Sequence, residues 1–134
     1  MKEHEIIQKV LNALSNIEDA TAIESTDFTE ERDANMIVVG IDNVTQVNVG
    51  LPDYNYRLQI VVDTFIEGDN DGRIFIDTYK EVQRIMNQYV LNDLALSDLF
   101  EEIPVVGLFF ENCDFSIDDK SNRAVFEYTV ITSF

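Results

Sequence analysis

Six consecutive residues, Glu67-Gly68-Asp69-Asn70-Asp71-Gly72, have the types and spacing that could hold a hard cation. With Gly72 in the place of the invariant glycine of an EF-hand loop, Glu67, Asp69 and Asp71 fall at positions one, three and five, and Ile74 at position eight. Such an arrangement of carboxylates wraps calcium in oxygen ligands. The pattern then breaks. Position twelve, where a bidentate glutamate completes the shell, is Thr78, and an extended stretch rather than a helix precedes the loop. The competing expectation is a tight acidic turn that caps the following helix, so no metal ligand is assigned.

Other residues with chemical potential lack partners. His4 is the sole histidine and lies among acids at the exposed start of a helix, which leaves no ordinary Ser-His or Cys-His pair. Cys113 is the sole cysteine, so neither an intrachain disulfide nor a zinc cluster can form; a small, buried apolar role is expected of it. Glycine-rich phosphate loops are absent. Carboxylates are so numerous that pairs of them carry no signal, because two acids catalyse only where a pocket drives their pKa values apart. No enzyme activity and no cofactor are expected. Arg57, Arg73, Arg84 and Arg123 are scarce cations in an acidic chain. They read either as cross-subunit partners for carboxylates or as ordinary pairs within the monomer.

The charge balance bounds the partners. The 134 residues carry 26 acids against 9 bases, a net −17, with the excess spread along the whole length. Free-standing nucleic-acid binding needs cations placed against phosphates, and an anionic membrane surface would repel this chain for the same reason. The length suits one domain, residues 1–134, with a single core. An acidic N-terminus leading into an interrupted apolar pattern is not a signal peptide, and the longest apolar run, Ile103 to Phe110, is too short to cross a membrane.

The elements that must position these residues follow from periodicity. Ile6, Ile7, Val10, Leu14 and Ile17 predict a one-faced helix over 3–17. An acidic loop, Glu18–Asn35, contains a short strand at Thr21 to Glu24. Met36–Ile41 is a short strand, apolar on both faces; Asp42-Asn43 signals a turn, and Gly50 to Asn55 a reversal. Tyr56–Ile66 is a long strand whose dry face carries Tyr56, Leu58, Ile60, Val62, Thr64 and Ile66. Phe75, Tyr79, Val82, Met86 and Tyr89 then form a helical stripe able to lie across that face. Leu94 to Phe100 reads as an irregular or one-turn segment that bridges the helix to the next strand. Between Val105 and Ile117 the apolar set changes phase, from Val106, Leu108 and Phe110 to Cys113, Phe115 and Ile117, which predicts a β-bulge near Glu111 or Asn112. Asp118–Asn122 is a hairpin loop, and Arg123 to Phe134 a last strand with Ala124, Phe126, Tyr128, Val130, Thr132 and Phe134 on one face. The fold class expected is α+β: a mainly antiparallel sheet of four to five strands, two helices on one face and a long C-terminal hairpin.

This order of elements resembles the tail terminator and related tail-completion proteins of long-tailed bacteriophages. The resemblance is carried by the strand Tyr56-Arg57-Leu58-Gln59-Ile60-Val61-Val62 before a helix, and by a closing strand Phe126-Glu127-Tyr128-Thr129-Val130. It covers nearly the whole chain except the acidic loop Glu18–Asn35. What it implies is a virion structural protein, assembled in the host cytoplasm. The expected form is a homo-oligomeric ring, usually a hexamer, that caps the major tail tube protein, stops its growth and joins it to the head-tail connector protein. DNA would pass through the ring without specific binding. A head-side neck or stopper protein is the alternative within that resemblance, and an acidic calcium-binding module the alternative outside it.

Overall fold

The computed structural model describes residues 3–24, 35–47, 53–117 and 120–133. The parts of the predicted acidic loop, reversal and hairpin loop at 25–34, 48–52 and 118–119 lie outside the described residues, as does Phe134 at the end of the predicted last strand. The described elements run α1 (Glu3–Leu14), β1 (Thr21–Glu24), β2 (Met36–Gln46), β3 (Tyr54–Phe65), α2 (Arg73–Val90), α3 (Asp93–Leu99), β4 (Val105–Ile117) and β5 (Ser121–Thr132). They form an α+β fold with one sheet in the order β1-β2-β3-β5-β4. The β1–β2 pair is parallel and the other three pairs are antiparallel, so the sheet is mixed.

Strand periodicity decides which face is dry. Tyr56, Leu58, Ile60 and Val62 of β3 and Ala124, Phe126, Tyr128 and Val130 of β5 are buried in one cluster, together with Ile37, Val39 and Ile41 of β2. The helices cover this face. From α1 come Ile6, Ile7, Val10 and Leu14, from α2 Val82 and Met86, and from α3 Leu96. The opposite face is mixed. Val38 and Val61 are buried there as register partners, while Arg57 is exposed and Gln59 half-buried.

Four expectations need correction. The first helix ends at Leu14, so Ile17 of the predicted stripe is buried beyond the helix rather than on it. Asp42-Asn43 is not a turn: β2 continues through it to Gln46, with a register shift between Ile41 and Asn43. Pairing with β3 outweighs the local turn preference, and the Arg57 guanidinium takes the Asp42 carboxylate through two bonds of 2.7 and 2.8 Å. The Leu-rich segment, read as irregular or one turn, is a seven-residue helix, α3, whose first amides are satisfied by Asn92: its Oδ1 accepts from the Leu94 and Ala95 N–H groups. That makes three helices among the described residues rather than two. Ile66 falls past the end of β3 and is 40% exposed rather than part of the dry face.

Val82 is fully buried beneath the sheet. Val82→Asp places an unpaired charge there, at a cost of about 3–5 kcal/mol against a total stability of about 5–15 kcal/mol. The variant should lose its cooperative thermal transition by circular dichroism, whereas Gln83→Asp, at an exposed position of the same helix, should melt like the parent. Equal melting of both would mean that α2 does not face the core.

Candidate assembly surface

The acidic turn is committed to the helix behind it. Asp69 is buried, and its two carboxylate oxygens accept from the Ile74 and Phe75 amides at 2.6 and 3.0 Å, satisfying two of the donors that α2 leaves open at its start. Asp71 and Gly72 follow each other in the left-handed region, at φ 60 and 72°, which swings the chain from the end of β3 into α2. Glu67 and Asp71 point to solvent, and no group of three or more metal-ligating side chains converges among the described residues. Thr78, the residue at the closing position of the calcium pattern, is buried in α2.

Three of the four scarce arginines pair within the chain. Arg57 holds Asp42, Arg84 holds Glu81 one helical turn away, and Arg123 on β5 reaches Asp63 on β3 at 2.9 Å. The Arg84 guanidinium keeps the Glu81 carboxyl below the usual carboxylate range. Arg73 is exposed and has no ion-pair partner among the described residues. His4 binds both Glu24 oxygens through Nδ1, at 2.7 and 2.9 Å, and so ties the start of α1 to β1 at an exposed position. Cys113 is half-buried in β4, where burial, with help from the Asp114 carboxylate, raises its thiol above the ordinary range. Burial likewise pushes the Tyr128 phenol far above its usual value. Neither group is poised for acid–base or nucleophilic work at neutral pH.

The unusual surface is β4. It is an edge strand of the sheet, and the predicted bulge occurs, as a register shift between Phe110 and Asn112. Because of that extra residue, Phe110, Cys113, Phe115 and Ile117 all project to the helix-covered face, opposite Tyr128, Phe126, Ala124 and Asn122. A second shift, between Val105 and Gly107, was not expected and turns Val106 outward instead of grouping it with Leu108. On the open face the Phe109 ring lies over Gly107, where a Cβ would come within 2.7 Å of it.

The covering helices do not reach Phe110, Phe115 and Ile117 far enough to bury them, and Val106 and Phe109 lie on the side away from the helices. Val106, Phe109, Phe110, Phe115 and Ile117 are 62, 51, 44, 58 and 78% exposed. Phe115 packs edge-on against Phe75 and Tyr79 of α2, with ring centroids 6.3 and 5.2 Å away, and Phe110 packs edge-on against Tyr128 at 5.6 Å. A long edge with this much apolar surface is the kind that another chain covers. The phase change within 105–117 foretold the bulge, but only the packing shows that the apolar residues it aligns stay exposed.

If Asp69 caps α2, Asp69→Ala should lower stability by about 1–2 kcal/mol, the usual cost of a lost cap, measurable as a lower urea midpoint at unchanged slope. Calcium should leave the melting temperature of the parent where it is. A calcium-specific rise that Asp69→Asn and Asp71→Asn together abolish would instead establish a metal site, because an ion that binds only the folded state raises its stability by mass action.

No protein-family model and no curated protein matches the chain.

Proposed function

We propose that the chain is a structural subunit that assembles with copies of itself into a ring, in the manner of the phage tail terminators that it resembles. The ring would end the tail tube and join it to the head connector, in the virion after assembly in the host cytoplasm. The observation that carries this reading is β4, a 13-residue edge strand that leaves five large apolar side chains uncovered. A head-to-tail contact between this edge and a different surface of the next copy closes into a ring when the rotation between subunits fits a whole turn. Binding to a partner's sheet edge draws on main-chain hydrogen bonds as well as apolar burial.

Charge sets the conditions for assembly and the character of the channel. Six copies at −17 each would surround it with −102 charges. Acidic walls do not hold DNA, which suits a passage rather than a binding site. The same charge opposes association in dilute buffer, and salt screens it over about 8 Å at physiological ionic strength. The calcium-module alternative is not favoured, because Asp69 is buried as a helix cap while Glu67 and Asp71 are exposed.

Native mass spectrometry or negative-stain microscopy across a salt series tests the proposal. Monomers or mixtures are expected at low salt, and closed rings, hexameric on this reading, at high salt or high protein concentration. A protein that stays monomeric at every salt up to millimolar concentration, and fails to bind purified tail tubes, would sink it.

A further inference from the structure

Helix α2 carries Arg73, Asp77, Lys80, Glu81 and Arg84, and of these Arg84 is paired with Glu81. Arg73, Ile76 and Lys80 are spaced by three and four residues and share one flank. Ile76 meets Phe75, Tyr79, Phe115 and Ile117 in an open apolar groove of about 350 Å³ between α2 and β4. Asp77 and Glu81 occupy the other flank, where they line a cleft of about 330 Å³ with Glu18 and Asp19 at the end of α1. The groove is thus flanked by cations and the cleft is lined by carboxylates. Arg73 and Lys80 are both exposed, and neither has an ion-pair partner among the described residues, in a chain with almost three acids for every base.

We infer that the groove between α2 and β4 receives a second copy of this chain, docked by its acidic cleft, with Arg73 and Lys80 of one copy set against Glu18, Asp19 and Asp77 of the next. The inference rests on the ring reading and names the two surfaces that meet. They are different surfaces of the same molecule, so the contact is head-to-tail and can propagate around a ring rather than stopping at a dimer. Exposed ion pairs contribute little affinity, so covering the exposed Ile76, Phe115 and Ile117 supplies the attraction and the charges select which face of the next copy lies over them. Two local pairs do not cancel the repulsion between bodies of −17. Salt therefore still favours assembly overall, while the pairs fix its geometry.

The test uses full-length protein at a salt and concentration where the parent forms rings, read by native mass spectrometry. Arg73→Glu with Lys80→Glu should raise the concentration needed for rings at least tenfold, and Glu18→Lys with Asp77→Lys should do the same. Mixing the two variants in equal amounts should restore rings that alternate the two, because the unchanged groove of one meets the unchanged cleft of the other and the two reversed surfaces are again opposite in charge. All four positions are exposed, and unchanged circular dichroism and melting would confirm that each variant folds; Lys80→Glu alone serves as a milder form. If the parent forms rings and both double variants form them equally well, the docking inference is overturned and the ring reading stands. A parent that stays monomeric throughout overturns both, and a parent that stops at dimers overturns the head-to-tail contact.

Discussion

The unbroken register between β3 and β5 is the constraint on which the rest of the structure depends. Their twelve residue pairs run from Tyr54 opposite Thr132 to Phe65 opposite Ser121 without a shift. Side chains alternate along a strand, so this register lays Tyr56, Leu58, Ile60 and Val62 beside Val130, Tyr128, Phe126 and Ala124 in one continuous apolar plane. A slip of one residue would turn every one of them to the other face. The stripes of α1 and α2 have a place to bury only because that plane exists, and the Asp63–Arg123 pair on the opposite face bonds across the same two strands.

Irregularity is confined to the strands that flank this pair. β2 absorbs one extra residue near Asp42 and still pairs with β3 as far as Tyr54, while β4 absorbs two against β5. Bulges at an edge usually blunt it against further pairing. In β4 the shift beside Glu111 has a second effect: it returns Cys113, Phe115 and Ile117 to the helix side, next to the α2 aromatics. The strand thereby presents a coherent apolar surface rather than a scatter of single residues, and coherent surfaces of this kind are where partners bind.

Electrostatics works against self-association at long range and can guide it at short range. A net charge of −17 keeps separate copies apart in dilute solution. Within the molecule the few arginines are placed economically: Arg57 and Arg123 brace the central strands, and Arg84 neutralises a neighbour on its own helix. On the assembly reading, Arg73 and Lys80 remain available for a contact between copies.

Much of the fold was legible in the sequence because burial follows local periodicity. The dry faces of β3 and β5, the stripes of α1 and α2, the short strand Thr21–Glu24 and the bulge beside Glu111 are all consequences of spacing along one segment, and the structure places them accordingly. Asp42-Asn43 misled, since its residue types favour a turn while its partners on β3 lie too far along the chain for local reading to weigh them. The Leu94–Phe100 stretch misled because the pattern is short and its cap, Asn92, acts through geometry. The acidic turn had the composition of a cation site, and only the position of the α2 amides committed Asp69 to a cap. The candidate surface was the least legible part. Phe115 lies some forty residues from Phe75 and Tyr79, and whether an apolar side chain is covered depends on which helices reach it, a property of the packed chain that no single segment encodes.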